Sequence, residues 1–537
     1  LRVEMILQNG TIYDGSGGAA MRGDVRIHNG RIAQVGGALQ AAQGERVIDA
    51  AGMAVCPGFV DMHRHLDIQL LSGWDGHAEL RQGITTAVAG NCGMSLAPAS
   101  DEYACAQYAF YEPVMGAAPK DAPRAFPDYM RALCRAKLPI HAGAMIGTGA
   151  VRTSIMGFSS APMRADALSR AEGMIDEALG AGALGASMGI MYQPECFNTP
   201  AEYARMLRPL GKRGGILCAH IRGEGDSLVR SVEEAIGIAA QAGCQLEISH
   251  FKACGARNWG RTIHRAIDAI ENARARGEDV ACDFYPYDGG STALTTMLPP
   301  DFAAGDMAGT LARLGTRAGV NAFRAAAARE YPDWDNFALT LGWDRILISG
   351  VHAPENARMV GRSVARAAAE FGFDDSAALA AHLMHTDGGR TAIINMSMCQ
   401  LDIDTVARLP YSSVISDALY SGAASPHPRL YGAFPKIIRE YVLERGVLTL
   451  ADAIRKMTAL PASRMGICDR GRIAPGQIAD VLIFDPQAFR DHADYAAPKR
   501  HATGLAMAIL RGEVALEHDV PAGVFAGEAI CRGRAGA

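Results

Sequence analysis

The chain has 537 residues, with 52 Lys and Arg against 57 Asp and Glu, a net charge of −5, and no stretch that concentrates the basic side chains. That excludes the electrostatic footprint of a nucleic-acid binder. At 49% hydrophobic and 20% charged residues it also excludes a disordered chain, and the length suits one large α/β domain with a smaller companion.

The first residues, LRVEMILQNG, have no basic stretch ahead of a long apolar run, so no secretory signal is expected. The longest uncharged stretches, such as 83–100, hold Gly, Thr, Asn and Pro and do not read as membrane spans. A cytoplasmic protein with neither membrane nor nucleic-acid partners is the expectation. Residues 1–57 alternate short β-type runs with the turn signals Asn9-Gly10 and Asn29-Gly30, which predicts a small antiparallel meander. The same texture returns after about residue 470, at 480–485 and 506–515. Each half is too small to be stable alone, so 1–57 and 470–537 are predicted to form one β-sandwich.

Between them, 58–469 alternates short apolar runs with amphipathic helical stretches. Strands are predicted at 54–62, 83–89, 141–146, 183–190, 215–219, 244–249, 280–285, 345–349 and 412–416, joined by helices such as Ala165–Ala181 and 226–242. A (β/α)8 TIM-like barrel is the simplest closure. Residues 288–344 fit no single βα unit, contain Pro299-Pro300, and are expected to be an insertion covering the barrel mouth.

Twelve Cys are scattered without a Cys-x-x-Cys pair, which argues against a zinc knuckle or a redox motif. The informative residues stand where strands end. His63 and His65 follow Phe59-Val-Asp-Met, Cys92 follows Thr85-Thr-Ala-Val-Ala-Gly-Asn, and His220 follows Ile216-Leu-Cys-Ala. His250 follows Leu246-Glu-Ile-Ser, and Asp417 follows Val414-Ile-Ser. Barrel active sites are assembled at the carboxyl ends of strands, where side chains from separate strands converge.

His63-x-His65 has the period of a strand, so both imidazoles project to one side and can share a metal. An isolated pair of this kind is more often a surface or core feature, but His220, His250 and Cys92 on other strand ends reverse that balance. Nitrogen and sulfur donors suit zinc, whereas Mg²⁺ and Ca²⁺ want oxygen. His77, His352, His382 and His385 lie in helical or loop context and read as structural. Asp417 is either a turn cap or, beside a metal, a group that accepts a proton and passes it to a leaving group.

With these residues in place, the chain resembles the amidohydrolase superfamily and, within it, the N-acyl-D-amino-acid deacylases, or D-aminoacylases. The likeness runs through Pro57-Gly-Phe-Val-Asp-Met-His-Arg-His65, Leu80-Arg-Gln-Gly-Ile-Thr-Thr-Ala-Val-Ala-Gly-Asn-Cys-Gly93 and His220-Ile-Arg-Gly-Glu-Gly225. It continues through Ile248-Ser-His-Phe-Lys252, Asn258-Trp-Gly260, Phe284-Tyr-Pro-Tyr287, Gly290-Ser291, Ser416-Asp417 and Pro426-His-Pro-Arg-Leu-Tyr-Gly432. His-x-His marks only the superfamily; Gly-Asn-Cys-Gly and His-Pro-Arg-Leu-Tyr-Gly are specific to the deacylase branch.

The resemblance implies a zinc ion held by Cys92, His220 and His250, with His63 and His65 offering a second, weaker site. It implies Asp417 as the acid/base, and Lys252, Tyr287, Ser291 and Arg429 as substrate-binding residues. Among these Lys252, Tyr287 and Arg429 would hold the α-carboxylate of a small N-acyl amino acid, a role that suits the planar fork of Arg. Two positions depart from the family: Arg64 stands where a small polar residue is usual, and Thr148 replaces a His.

Other readings compete. A hydantoinase-like or dihydroorotase-like cyclic-amide hydrolase would need a bridging lysine at a strand end, yet Lys120, Lys137 and Lys212, the only lysines between His65 and His220, follow no apolar run. A non-catalytic scaffold would not keep every proposed ligand together with Asp417. The D configuration rests wholly on resemblance. The segment from Asp288 to Pro300 offers Leu294, Met297 and Leu298 but no Arg or Lys, which favours apolar substrate side chains. The alternative, an N-acyl-D-glutamate or D-aspartate deacylase, would need a cation for the second carboxylate, and the nearest in sequence are Lys252 and Arg257.

Overall fold

The structure is a computed structural model that describes residues 4–303, 306–331 and 334–533. Residues 1–3 and 534–537 of the expected sandwich halves, and 304–305 and 332–333 of the expected insertion, lie outside the described residues.

Eight strand runs of the central region pair in parallel. They are β1 (Phe59–Asp61, resumed as Arg64–His65), β2 (Ile84–Ala89), β3 (His141–Ala144, resumed as Ile146–Gly147), β4 (Gly185–Gly189), β5 (Ile216–His220), β6 (Gln245–Ile248), β7 (Val280–Phe284) and β8 (Ser412–Val414, resumed as Ala418–Leu419). Nearly every residue of these strands is buried, as expected of a parallel sheet covered on both faces. The pairings run in chain order from Phe59↔Ile84 and Thr86↔His141 to Cys282↔Ser412, and the resumed part of β8 pairs with that of β1 through Ala418↔Arg64. The succession thus returns to its first strand.

Helices follow the strands as the periodicity predicts. Ala165–Ala181 buries Leu168, Ala171, Ile175 and Ala178, a stripe at helical spacing, and stops at Gly182, whose φ of 109° closes the last turn. Burying Leu or Ile on such a face contributes about 1.5–3 kcal/mol each.

Two expected strands behave differently. The run at 54–62 divides at Gly58, where an added Cβ would sit 2.1 Å from Thr85 Oγ1: Ala54–Pro57 joins the end sheet and Phe59–Asp61 becomes β1. The run at 345–349 does not join the parallel set. Ile346–Gly350 pairs antiparallel with Ala392–Asn395, which pairs in turn with Gly290–Ala293. This three-stranded sheet has its own core, which includes Leu294, Phe323, Ile348, Leu379 and Ile393, so the inserted layer continues beyond residue 344. An apolar run records burial but not which strand it will pair with.

Strands from the two chain ends meet in one nine-stranded sheet. Its seam is the antiparallel pairing of Val481–Phe484 with Ala54–Pro57, and Met5–Ile12 lies on the other side of the latter strand. One apolar core collects Leu7, Val25, Ile27 and Val55 from the N-terminal part with Val481, Ile483 and Ile509 from the C-terminal part. Among the described residues, no helix is long and apolar enough to cross a membrane.

Candidate active site

The expected ligands sit where the parallel strands give out. His63 lies between the two pieces of β1 and His65 ends the second; His220 ends β5. Cys92, His250 and Asp417 follow β2, β6 and β8 with φ of 53°, 38° and 51°. Among the described residues they are the only non-glycine residues of the central region in left-handed backbone. Such conformations are uncommon for these types and cost on the order of 1–3 kcal/mol each unless the surroundings hold them.

These turns bring the side chains together. Cys92 Sγ lies 3.3 Å from His63 Nε2 and 3.5 Å from His250 Nε2. Asp417 Oδ1 lies 3.5 Å from His63 Nε2 and 3.4 Å from His65 Nε2. The rings of His220 and His250 are 4.5 Å apart, and Glu224 Oε1 is 3.0 Å from His250 Nδ1. Three sets of potential ligand atoms each fall within 4.8 Å: His63, Cys92 and His250; His63, His65 and Asp417; His220, Glu224 and His250. All are buried, and Nδ1 of His63, His65 and His220 has no hydrogen-bond partner among the described residues. A buried cluster in which imidazole nitrogens, a thiol and a carboxylate converge fits a transition metal, and the sulfur favours zinc.

The electrostatics agree. Burial lowers His63 to about 4 and holds His220 and His250 well below the usual imidazole value, so the rings are neutral, the form a metal requires. Burial, reinforced by Asp417, pushes the Cys92 thiol well up, so its thiolate needs a cation beside it. Burial alone would raise Asp417; Arg429, with His65 and His63, outweighs it and holds the carboxylate well below its ordinary range.

The cluster forms one wall of a cleft lined also by Met94, Val114, Met191, Tyr192, Tyr285, Ser291, Phe337, Asn395 and Leu419. Lys252 lines it with Nζ 2.5 Å from Glu224 Oε1. Ser291 is present, its hydroxyl donating to the Ile393 carbonyl at 3.1 Å. Arg429 is buried behind two lining residues: Nη1 is 2.9 Å from Asp417 Oδ2, and the guanidinium lies 4.6 Å from the Tyr285 ring centre. Among the described residues none of its side-chain nitrogens has a partner of hydrogen-bond geometry.

Tyr287 is not brought into the cleft. Its ring packs edge-on against His427 at 5.2 Å, and it lines a separate groove with Lys436, Arg439 and Asp491. Tyr285 faces the cleft instead. Phe284-Tyr-Pro-Tyr287 offers two tyrosines, and β7 ends at Phe284, so strand alternation no longer says which of them points inward. Of the three apolar residues expected at the mouth, Leu294 and Met297 belong to the core of the inserted layer. Leu298 also lines a second hollow that shares Met191 and Tyr192 with the cleft.

Sequence reasoning missed Glu224 and Tyr285, although both lie inside motifs it used. It also left the two departures unexplained. Arg64 is fully buried, pairing with Asp61 at 3.1 Å, with Glu79, and with Tyr420 Oη at 2.7 Å. Thr148 donates to the Ser187 carbonyl at 3.1 Å and to Glu195, away from the ligand sets.

Parallel strands carrying a buried nitrogen, sulfur and carboxylate cluster at their carboxyl ends define a frame suited to metal-assisted hydrolysis. Residues 46–516 match the amidohydrolase family. The chain is 33% identical over 511 residues to N-acyl-D-glutamate deacylase of Alcaligenes xylosoxydans xylosoxydans, across 95% of this chain and 93% of that protein. It is 29% identical over 533 residues to D-aminoacylase of the same organism, across 98% of each. The crystal structure of N-acyl-D-glutamate deacylase from Bordetella bronchiseptica, complexed with zinc and a phosphonate inhibitor that mimics the reaction tetrahedral intermediate, matches at a TM-score of 0.84. That match is 31% identical and covers 99% of this chain and 100% of that one. The chain belongs to the amidohydrolase family.

Proposed function

We propose that the protein is a zinc-dependent N-acyl-D-amino-acid deacylase, which hydrolyses the amide to a carboxylate and a free D-amino acid and favours apolar side chains. The observation that carries this reading is that Cys92, His63, His65, His220, His250 and Asp417 fall into three overlapping buried sets of potential ligands, Cys92 with His63 and His250, His63 with His65 and Asp417, and His220 with Glu224 and His250, beside a cleft that also holds Lys252. The D configuration is supported by the relatives, which are named for D substrates.

The fold is read as a (β/α)8 barrel over 58–469, because the pairing of β1 to β8 returns to its start. The inserted layer is then read as running from about 288 to about 395, and the nine-stranded sheet built from the two chain ends as a β-sandwich over a shared core.

Cys92, His220 and His250 would hold one zinc ion tightly, with His63 and His65 beside them for a second, weaker one. The chemistry such an ion supplies is Lewis-acid polarisation of the amide carbonyl. Asp417, ionised at neutral pH, takes a proton from the attacking water at its carboxylate and returns it to the departing amine, which leaves poorly unless protonated. Lys252, and Arg429 with its unspent donors, hold the α-carboxylate, and Tyr285 takes the place expected for Tyr287. Ser291 completes the substrate wall.

The side-chain preference follows from the lining. Among the described residues lining the cleft Lys252 is the one Lys or Arg, and it is tied to Glu224; the described residues of the adjoining hollow include Phe110, Leu298, Met307 and Trp334 and no basic residue. A second substrate carboxylate would be buried there without a partner, at a cost of several kcal/mol.

Release of free amine from N-acetyl-D- and L-forms of Met, Leu, Phe and Glu, with and without chelator, tests the reading. Cleavage of the apolar D-forms, abolished by chelator, is expected. Equal cleavage of L-forms, or indifference to chelator, would overturn the assignment; preference for N-acetyl-D-glutamate would overturn only the side-chain reading.

A further inference from the structure

Two buried polar atoms at the floor of the site face each other with no other partner. His63 Nδ1 and Asp283 Oδ2 are 3.7 Å apart, and neither makes a hydrogen bond to any described residue. Both side chains are 1% exposed, so water does not serve them. Orphaned groups this deep carry a penalty and call for a physical reason. The other oxygen, Asp283 Oδ1, accepts the backbone N–H of His250, in the turn that gives His250 its left-handed backbone. Asp283, near the end of β7, therefore touches one proposed metal ligand through its ring and another through its main chain.

A neutral imidazole has one N–H and one lone pair, and the partner of one nitrogen decides which nitrogen keeps the proton. On His63 the nitrogen beside Cys92 and Asp417 is Nε2. It can serve a metal only if the proton sits on Nδ1, and an Asp283 oxygen that accepts from Nδ1 favours that tautomer. We propose that Asp283 is the positioning residue of the metal centre: Oδ2 holds the His63 proton on Nδ1 and frees Nε2 for the ion, while Oδ1 fixes the His250 turn. The proposal rests on the metal-centre reading above.

Asp283→Asn separates the two tasks. The amide oxygen can still accept the His250 N–H, which leaves the NH2 group facing His63 Nδ1. A donor there favours the tautomer with the proton on Nε2, the one that cannot ligate. Zinc isotherms of metal-free wild type, Asp283→Asn and His63→Ala, measured against a competing chelator, read the effect without activity. Asp283→Asn should weaken, by roughly 10- to 100-fold, the binding step that His63→Ala also weakens, and leave other steps unchanged. Superposed wild-type and Asp283→Asn isotherms would overturn the proposal while the metal-centre reading stands, and a lower melting temperature with unaltered zinc binding would reduce Asp283 to a structural role. A wild type that binds no zinc would overturn both.

If Asp283→Asn does not fold, cobalt-loaded wild type decides the matter. Its proton NMR spectrum should contain a hyperfine-shifted imidazole N–H in slow exchange with water that disappears in His63→Ala. Its absence from wild type would overturn the proposal.

Discussion

Arg429 Nη1 stands 2.9 Å from Asp417 Oδ2, with the two residues 1% and 6% exposed. Desolvation would raise the Asp417 carboxyl, and Arg429 is the largest influence that reverses it. The proposed acid/base and the proposed carboxylate clamp are therefore one electrostatic unit.

Asp417→Asn should lower kcat by roughly 100-fold or more with metal still bound, in line with the loss of a general acid/base. Near-normal turnover would move the role elsewhere. Arg429→Ala should lower kcat/KM by the equivalent of about 2–5 kcal/mol. It also removes the influence that depresses Asp417, so the carboxyl protonates at higher pH and the acid limb of the kcat/KM profile should move upward. An acid limb that stays in place would break the link between the two residues.

The two tyrosines of Phe284-Tyr-Pro-Tyr287 should separate cleanly. Tyr285 stacks on Arg429 and lies within 6.0 Å of Lys252 Nζ, so Tyr285→Leu should cost about 0.5–2 kcal/mol in kcat/KM from the lost cation–π contacts alone. The Tyr287 hydroxyl has no hydrogen-bond partner among the described residues, and Tyr287 lines a groove separate from the cleft, so Tyr287→Phe should change kcat/KM less than about threefold, within the ±0.5 kcal/mol usual away from such contacts. Steady-state kinetics on N-acetyl-D-methionine checks both, and the reverse ranking would restore the role to Tyr287.

Arg64 ties Asp61, Glu79 and Tyr420 into a buried network, and Asp61 also accepts from Ser416, the neighbour of Asp417. The network thus joins the strand bearing His63 and His65 to the strand bearing Asp417. Arg64→Ala strands two buried carboxylates and should destabilise the protein by about 3–5 kcal/mol. Chemical denaturation measures this, and a loss below about 1 kcal/mol, the scale of an exposed pair, would show that the network is not desolvated.

Glu195 supplies a pH test of stability. Burial raises its carboxyl from 4.5 to about 7, against hydrogen bonds from Thr148, the Gly189 N–H and Tyr203. Because the folded state holds this proton more tightly than the unfolded chain, the contribution is fully present below pH 4.5 and is lost as pH rises through about 7. The loss is on the order of 3 kcal/mol at 1.36 kcal/mol per pKa unit. Urea unfolding of wild type and Glu195→Gln at pH 5 and pH 8 compares them. The variant should lose less stability than wild type across that interval, and equal losses would assign the pH dependence to other groups.

Much of this was legible in the sequence, because periodicity and burial leave a local trace. Period two placed His63 and His65 on one side of a strand, helical spacing marked Ala165–Ala181, and apolar runs that end in Cys92, His220, His250 and Asp417 pointed to one face of a parallel set. The expectation that the two chain ends combine rested on neither half having enough strands to bury a core alone, and strands of both ends do share one sheet.

The tertiary structure decided which partners those residues meet. It placed 346–350 in the inserted sheet, turned Tyr285 rather than Tyr287 toward the cleft, and joined Arg64 to Tyr420 and His63 to Asp283 across more than 200 positions. It also put Cys92, His250 and Asp417 in left-handed backbone, a conformation their own types disfavour. Local patterning records how a residue stands toward solvent and toward its near neighbours along the chain. Contacts between distant strands, and the backbone strain they sustain, are set by the packing of the whole.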